Sequence, residues 1–121
     1  MKAIKFRAWI RYQKEIKEVY SLDFINKKAY IEMNKSVPFG YVNFDGCELM
    51  QFTGLKDKNG KELYEGDIIK AKCSIGEIIF EDGCFIIKWI RNKDFFNNVL
   101  SHHADCITIV GNIYETPLLV E

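Results

Sequence analysis

Short runs of β-branched and aromatic residues alternate with turn-forming residues along this chain, and that pattern limits the folds open to it. The first run, Ile4–Arg11, alternates apolar and mostly charged residues with a period of two. Every second residue from Ile4 to Ile10 therefore falls on one apolar face, which is typical of a half-buried strand.

The rest of the first half predicts an antiparallel meander. Polar breaks at residues 12–14 and 26–28 separate further β-rich runs. Residues 34–40 are expected to form a loop, because Pro38 lacks a ladder donor and Gly40 offers a flexible joint. The predicted strands after the first are Ile16–Phe24, Ala29–Met33 and Cys47–Phe52.

The second half carries the clearest hairpin signal, the pair Asp82-Gly83 between two apolar runs. A type I′ turn needs positive φ at both central residues, and this pair favours it. Between Asn92 and His103 the apolar residues recur at helical intervals, which predicts one short helix capped by Asn92 or Asp94. The predicted strands of this half are Asp67–Lys72, Gly76–Phe80, Cys84–Trp89 and Cys106–Ile113.

Together these elements predict a mainly β protein with one short helix. Residues 1–50 are expected to form an N-terminal antiparallel β-meander, and residues 51–121 a small, bent barrel of the SH3-like kind. A chain of 121 residues can bury one ordinary core, so the two regions are expected to make one compact unit.

Composition and charge narrow the class of protein. Apolar residues make up 48% of the chain, which excludes a disordered or low-complexity sequence. Charge interrupts the N-terminus, and no window approaches membrane-spanning length, so a cytoplasmic location is expected. Residues 1–50 carry 9 Lys/Arg against 6 Asp/Glu and residues 51–121 carry 8 against 11, so the halves have net charges of +3 and −3. That division is compatible with attraction between unlike halves of neighbouring chains.

The four cysteines form no Cys-x-x-Cys pair. In a reducing compartment they are expected to be reduced, buried thiols that pack as small hydrophobes. They are Cys47, Cys73, Cys84 and Cys106.

The segment "FTGLKDKNGKELYEGDIIK", residues 52–70, has the glycines and carboxylates of a binding loop. A calcium loop counted from Asp57 needs glycine at position six and glutamate at position twelve, but Glu62 and Ile68 stand there. No phosphate-binding glycine pattern occurs either, so turn chemistry is the favoured interpretation and no cofactor is predicted. The residues assigned to structural turns, here and in the later hairpin, are Gly54, Gly60, Gly66, Asp67, Asp82 and Gly83.

Catalytic and metal-binding arrangements are open but not favoured. Glu65 and Asp67 have the spacing of an acid and base pair, yet nothing in the sequence encloses them in a cleft. His102, His103 and Cys106 form a single tight cluster without a second ligand pair, and a nucleophilic Cys106 or Cys84 has no flanking motif. We therefore predict no catalytic residue and no metal.

The first predicted strand also provides the best direct indication of a binding surface. Opposite its apolar residues lie Lys5, Arg7, Trp9 and Arg11. Basic groups around an aromatic ring can hold a phosphate backbone and stack a base. The alternative is an outer packing tryptophan that lysine and arginine stems cover.

Several ordered motifs resemble the YopX family of phage and prophage proteins. They are Ile4-Lys5-Phe6-Arg7-Ala8-Trp9, Phe52-Thr53-Gly54-Leu55-Lys56-Asp57 with Gly60-Lys61, Tyr64-Glu65-Gly66-Asp67-Ile68, Phe80-Glu81-Asp82-Gly83 and Ile109-Val110-Gly111-Asn112-Ile113-Tyr114-Glu115. The resemblance implies a small, mainly β protein of bacterial phage or prophage genomes that assembles with copies of itself. It supplies no catalytic residue to carry over.

Three functions follow in order of preference. The first is a non-enzymatic phage accessory protein, an oligomeric protein-interaction module with an unidentified protein partner in the bacterial cytoplasm. The second is a single-stranded nucleic-acid-binding β module that uses Lys5, Arg7, Trp9 and Arg11, which a net charge of zero disfavours. The third is a small hydrolase or metal enzyme. No membrane association is expected.

Overall fold

The computed structural model describes residues 3–91 and 99–117. Within these residues the protein is mainly β, as the sequence predicts, with three short 3₁₀ segments at Phe44–Gly46, Leu100–His102 and Ala104–Cys106. The strands of the described residues are β1 (Phe6–Ile10), β2 (Glu15–Asp23), β3 (Lys28–Glu32), β4 (Phe39–Asn43), β5 (Cys47–Lys56), β6 (Glu62–Tyr64), β7 (Asp67–Ala71), β8 (Ser74–Glu81), β9 (Cys84–Arg91) and β10 (Thr108–Asn112).

The chain divides into two compact units. One unit is Ile4–Gln51, and the other contains the chain from Phe52 onward together with the first residues. Strand β5 contributes its first five residues to the first unit and the remainder to the second.

The first unit is an antiparallel sheet in the order β4-β3-β2-β1-β5. The alternation read from the sequence places Ala8 and Ile10 of β1 on its buried face. Ala29 and Ile31 of β3 and Cys47 of β5 lie in the same cluster. The meander over β1, β2 and β3 is therefore present as predicted.

Two local expectations for this unit are wrong. Ile4 lies before β1 and is exposed, because the sheet pairing begins only at Phe6. The loop expected over residues 34–40 is shorter, since β4 already begins at Phe39. The side chain of Asn34 closes the turn by accepting the N–H groups of Ser36 and Val37 at 2.9 and 2.8 Å, so fewer residues are needed to reverse the chain.

The second unit contains an antiparallel sheet in the order β10-β7-β8-β9. The predicted hairpin joins β8 to β9, and both Asp82 and Gly83 have positive φ, at 52° and 81°. The buried cluster of this unit includes Leu63, Ile69, Ile78, Ile87 and Trp89, together with Ala71, Leu100, Ala104 and Ile107.

The SH3-like barrel expected in residues 51–121 is not confirmed. In the part of this region that the structure describes, β9 and β10 are the two edges of the four-stranded sheet, and no pairing joins them. The end of β5 pairs with the short β6 through Phe52 and Tyr64. The described sheet is therefore open, because its two edge strands pair only inward with β8 and β7.

The single helix expected between Asn92 and His103 lies partly outside the described residues, which omit 92–98. From Leu100 the chain forms two successive 3₁₀ turns instead of α-helix. Leu100 and Ala104 are buried in the cluster that contains the sheet residues Ile69, Ile78 and Ile87. The apolar residues in this segment are therefore explained by packing and not by α-helix.

The burial expected for the cysteines holds only for Cys47. Cys73, Cys84 and Cys106 are exposed because each lies at a turn or at the end of an element, where the chain reaches the surface. No disulfide joins any two of the four, all of which the structure describes. No helix of the described chain is long and apolar enough to cross a membrane.

Candidate interaction surface

Four aromatic rings form a continuous cluster on strands β2, β3 and β4. The rings of Tyr30 and Tyr41 have centroids 4.9 Å apart, and Tyr30 stacks on Phe39 with centroids 5.7 Å apart. Tyr20 meets Phe39 edge to face at 5.2 Å. Tyr20, Phe39 and Tyr41 nonetheless keep 49%, 46% and 60% of their surface exposed. We call Tyr20, Tyr30, Phe39 and Tyr41 the aromatic face.

Sheet register brings these distant residues together. Tyr30 pairs with Tyr41, and Glu32 pairs with Phe39 two positions further along, on the same side of the sheet. In β2 the register shifts between Val19 and Ser21, which is a β-bulge. A bulge adds one residue to a strand, so Tyr20 lies beside the rings of β3 and β4 while Val19 packs on the buried side.

The exposed apolar surface of the described chain is concentrated in the unit Ile4–Gln51. Eight of its large apolar side chains are exposed, against Phe80 and Val110 in the other unit. Exposed apolar patches on a soluble domain mark interaction sites more often than isolated exposed residues do. The eight are Ile4, Tyr12, Tyr20, Phe24, Ile25, Val37, Phe39 and Tyr41.

An apolar groove adjoins the aromatic face at Tyr20. Its volume is about 300 Å³, and its lining includes Phe6, Val19, Leu22 and Phe24 together with Lys5. Tyr20 belongs both to this groove and to the ring cluster. Val19 and Leu22 pack on the buried side of the sheet, so this groove opens mainly on the side opposite the other three rings of the aromatic face.

The basic residues predicted as a contact surface divide into two groups. Arg7 and Trp9 are half-buried in β1, paired with Glu18 and Ile16 of β2. Ala8 of β1 and Ala29 and Ile31 of β3 lie in one buried cluster. Arg7, Trp9 and Tyr30 alternate with these residues along their strands, so they lie on the opposite side of the sheet, which is the side of the aromatic face. Lys5 is exposed ahead of β1.

Arg11 is engaged within its own unit. Its guanidinium forms an ion pair with Glu48 and also donates to the backbone carbonyl of Asp45. The hydrogen bond that Arg11 donates to Glu48 raises the pKa of Arg11 above its ordinary value. Arg11 thus links the chain just after β1 both to Asp45, which precedes β5, and to Glu48 near the start of β5.

The glycine-rich stretch 52–70 is organised around Asp57, which is 5% exposed. Its Oδ1 accepts the N–H groups of Asn59 and Lys61, both at 2.9 Å, and its Oδ2 accepts that of Ile109 at 3.2 Å. Burial alone would raise the pKa of Asp57, but these N–H donors outweigh it and hold the pKa below its ordinary value. Gly60, with φ of 82°, completes the turn.

Gly66 and Asp67 lie at the start of β7, where three parts of the second unit meet. The N–H of Gly66 donates to the carbonyl of Ile78 at 2.8 Å, and its carbonyl accepts the N–H of Ile113 at 3.0 Å. Asp67 is 1% exposed and its Oδ2 accepts the N–H of Tyr64 at 2.8 Å. These contacts are those of a structural junction. The other assigned turn glycine, Gly54, has φ of 86° at the irregular pairing of β5 with β6.

The histidine cluster does not converge into a ligand set. Cys106 is exposed, and its Sγ lies 3.5 Å from Oδ1 of Asp105. The ring of His103 meets that of Trp89 edge to face at 5.9 Å. Among the residues described, no group of three or more His, Cys, Asp or Glu side chains could hold a metal ion.

The aromatic face was not predicted from the sequence. The signal was the alternation of Phe39, Tyr41 and Asn43, which the loop assignment over residues 34–40 obscured. All three are exposed while Gly40 and Val42 between them are half-buried, which is the period-two pattern of a strand with one face in solvent.

The fold and the surface together define a small antiparallel β protein with an exposed aromatic sheet face. The family model described as YopX protein matches residues 5–121, so the chain belongs to the YopX family, as its motifs indicated. The crystal structure of protein EF1440 from Enterococcus faecalis is similar over 100% of both chains, with a TM-score of 0.69 and 32% sequence identity. The comparison with curated proteins finds no match.

Proposed function

We propose that this chain is a non-enzymatic phage or prophage accessory protein, a protein-interaction module that assembles with copies of itself through the aromatic face. The observation that carries the proposal is the cluster of Tyr20, Tyr30, Phe39 and Tyr41, three of which stay about half exposed. Tyrosine and phenylalanine are enriched in the buried centres of protein interfaces. The phage setting and the bacterial host come from the family resemblance, and the cytoplasmic location is the expectation drawn from the charged N-terminus and the short apolar runs.

A second copy is the occupant that the charges favour. The exposed ends of this sheet side carry both signs, with Lys28 beside Asn43 and Glu32 beside Phe39. A surface that carries rings at its centre and both signs at its rim can meet a rotated copy of itself without opposing like charges. A partner with charges of one sign would face a like charge at either Lys28 or Glu32.

Sedimentation velocity at low and high salt tests the proposal. We expect a concentration-dependent oligomer that persists at high salt, because contacts between rings are not screened. Association between the oppositely charged halves would instead weaken as salt rises. A monomer under both conditions would contradict self-assembly.

A pair of matched tyrosine substitutions tests the surface. Tyr41 is 60% exposed in the aromatic face, and Tyr12 is 67% exposed in the turn after β1. We expect Tyr41→Ser to weaken association about tenfold or more and Tyr12→Ser to leave it within about twofold. Equal effects of the two substitutions would count against the aromatic face.

Single-stranded nucleic-acid binding is the second candidate. The observation that favours it is the shared sheet side of Arg7, Trp9 and the aromatic face, since sheet aromatics can serve as stacking platforms for bases. Fluorescence anisotropy with single-stranded DNA at low salt tests it. Binding at micromolar protein that falls on Trp9→Ala would support this candidate, and no binding would remove it.

A further inference from the structure

The outer edge of β4 is the open edge of the N-terminal sheet. Among the described residues, β4 pairs with β3 alone, in a regular antiparallel register from Glu32 with Phe39 to Lys28 with Asn43. Its five residues, Phe-Gly-Tyr-Val-Asn, carry no charge. An edge of this kind is a template for another strand.

Two backbone hydrogen bonds determine which groups of β4 face outward. The N–H of Met33 donates to the carbonyl of Pro38 at 2.9 Å, just before the strand. The N–H of Phe44 donates to the carbonyl of Lys27 at 2.9 Å, just after it. Both pairs continue the register of β3 with β4, so they mark the hydrogen-bonded positions of the ladder.

Hydrogen-bonded pairs alternate with non-hydrogen-bonded pairs in an antiparallel ladder. Gly40 and Val42 therefore direct their backbone groups toward β3. Phe39, Tyr41 and Asn43 direct theirs away from it, to the open edge. These same three residues are the exposed ones of the strand. Each copy thus offers three outward N–H donors and three outward carbonyl groups, one of each per residue. The carbonyl of Asn43 also accepts Cys47 Sγ at 3.7 Å and retains its second lone pair for the edge.

The other sheet edges of the described residues carry the usual protections. Strand β10 has an irregular register between Ile109 and Gly111. Strand β6 has only three residues, and Val99 bridges to Ile86 of β9 from outside. Bulges, short strands and covering segments are how proteins prevent edge pairing. Strand β4 has none of these, and Pro38 lies just outside it.

We infer that β4 pairs antiparallel with β4 of a second copy about a two-fold axis at Tyr41. This inference rests on the proposed self-assembly and specifies its geometry. Tyr41 meets Tyr41 of the second copy, and Phe39 meets Asn43 of the second copy. This register satisfies all the outward donors and acceptors of both strands, whereas a shift of two residues leaves some unpaired.

Side chains fit the same register. On the exposed side, the ring of Tyr41 lies next to its symmetry mate, so the aromatic faces of the two copies become continuous. Because Phe39 would pair with Asn43 of the second copy, Glu32 of one copy and Lys28 of the other would lie at the two ends of one line of side chains across four strands. Each such line therefore ends in unlike charges. The two-fold axis therefore brings together rings and backbone groups, and no like charges oppose each other.

Asn43 allows a test that removes one outward donor and little else. Its φ is −67° and its ψ is 149°, which proline adopts without strain, and by the ladder alternation its N–H faces outward. We expect Asn43→Pro to raise the dimer dissociation constant about tenfold or more. Each copy contributes one such N–H, so the substitution removes two hydrogen bonds from the interface. Asn43→Ala keeps the N–H and should stay within about threefold. Circular dichroism and thermal unfolding confirm that both variants fold.

A charge-exchange pair tests the two-fold axis independently of the proline variant. Tyr41→Lys and Tyr41→Glu should each sediment as a monomer, because like charges then face each other across the axis. An equimolar mixture should associate at least about tenfold more tightly than either alone. Salt should weaken the mixed dimer and leave the wild-type dimer intact.

The outcomes distinguish the β4 pairing from the self-assembly on which it rests. If the wild type remains a monomer throughout, self-assembly itself is wrong. If the wild type associates but folded Asn43→Pro associates equally well, or the mixture gains nothing over its components, the assembly uses another surface and the β4 pairing is wrong. Loss with Asn43→Pro and recovery in the mixture support the pairing.

Discussion

Oδ2 of Asp57 accepts the backbone N–H of Ile109 from 52 residues further along the chain, at 3.2 Å. The same carboxylate holds the turn that contains Gly60 through its Oδ1. Asp57 therefore fastens a surface turn to strand β10. The glycines and carboxylate in this part of residues 52–70, which resemble a binding loop in the sequence, therefore have a structural role.

Replacing Asp57 with Asn should destabilise the protein by about 1–3 kcal/mol, because the amide nitrogen cannot accept an N–H donor and leaves a buried group unpaired. Urea unfolding measures the change. The exposed Asp45, substituted in the same way, is the control and should shift stability by less than about 0.5 kcal/mol. Equal effects would contradict the role assigned to Asp57.

The contribution of the Asp57 carboxylate should also appear in the pH dependence of stability. The pKa of Asp57 is lowered in the folded state, so its stabilisation is present above the unfolded pKa of about 3.9 and is lost as the pH falls through the folded value. We expect stability below about pH 4 to fall more steeply for the wild type than for Asp57→Asn. Unfolding midpoints measured between neutral and strongly acid pH check this, and parallel curves would contradict it.

Gly76 should be intolerant of a side chain for a steric reason. A Cβ atom there would lie 2.5 Å from Cγ2 of Ile87 and 3.1 Å from Cε3 of Trp89, inside the core of the second unit. Gly76→Ala should cost about 1–3 kcal/mol. A double-mutant cycle with Ile87→Ala gives the test, since removing the clashing methyl group should recover part of that cost. Strict additivity would contradict the clash.

Gly60 provides the contrasting case. No atom lies within 4 Å of a Cβ placed there, but its φ is 82°. Gly60→Ala should cost about 1–2 kcal/mol through backbone strain alone. Gly60→Asn should cost less, because asparagine tolerates this conformation better. Equal unfolding midpoints for the two variants in urea would contradict strain as the cause.

The cysteines should label in two classes. Cys73, Cys84 and Cys106 are exposed, whereas Cys47 is buried and burial raises the pKa of its thiol. Native protein treated with a maleimide should gain three labels rapidly and the fourth, at Cys47, only with unfolding. Mass spectrometry of digested protein assigns the sites. Equally rapid labelling of Cys47 would contradict its burial.

Asn112 should contribute more to the free energy of unfolding than Glu115, which it contacts. Its Oδ1 accepts the N–H groups of Tyr114 and Glu115 at 3.0 and 2.8 Å, and its Nδ2 donates to Glu115 Oε1 at 2.9 Å. Asn112→Ala should cost about 1–3 kcal/mol, and Glu115→Ala less than about 0.5 kcal/mol, since Glu115 is exposed. Urea unfolding compares them, and a reversed order would be contrary to this assignment.

Local chemistry made most of the strands predictable. The alternation from Phe6 to Ile10 and the Asp82-Gly83 turn are patterns that act over a few residues, and both are present in the structure. The exposure of Cys84 was missed because the prediction rested on the apolar run that follows it. Cys84 directly follows the turn and pairs with the exposed Glu81, so it lies at the exposed turn end of the hairpin.

The sequence by itself determined the β class, the hairpin at Asp82-Gly83 and the turn role of residues 57–60, because each depends on neighbouring residues. The tertiary structure decided that Tyr20, Tyr30, Phe39 and Tyr41 meet on one face. Their meeting depends on strand register and on one bulge in β2, which couple residues far apart in the chain. The closure of the predicted barrel depends on pairing between distant strands in the same way, and the local pattern does not determine it; in the described residues β9 and β10 do not pair.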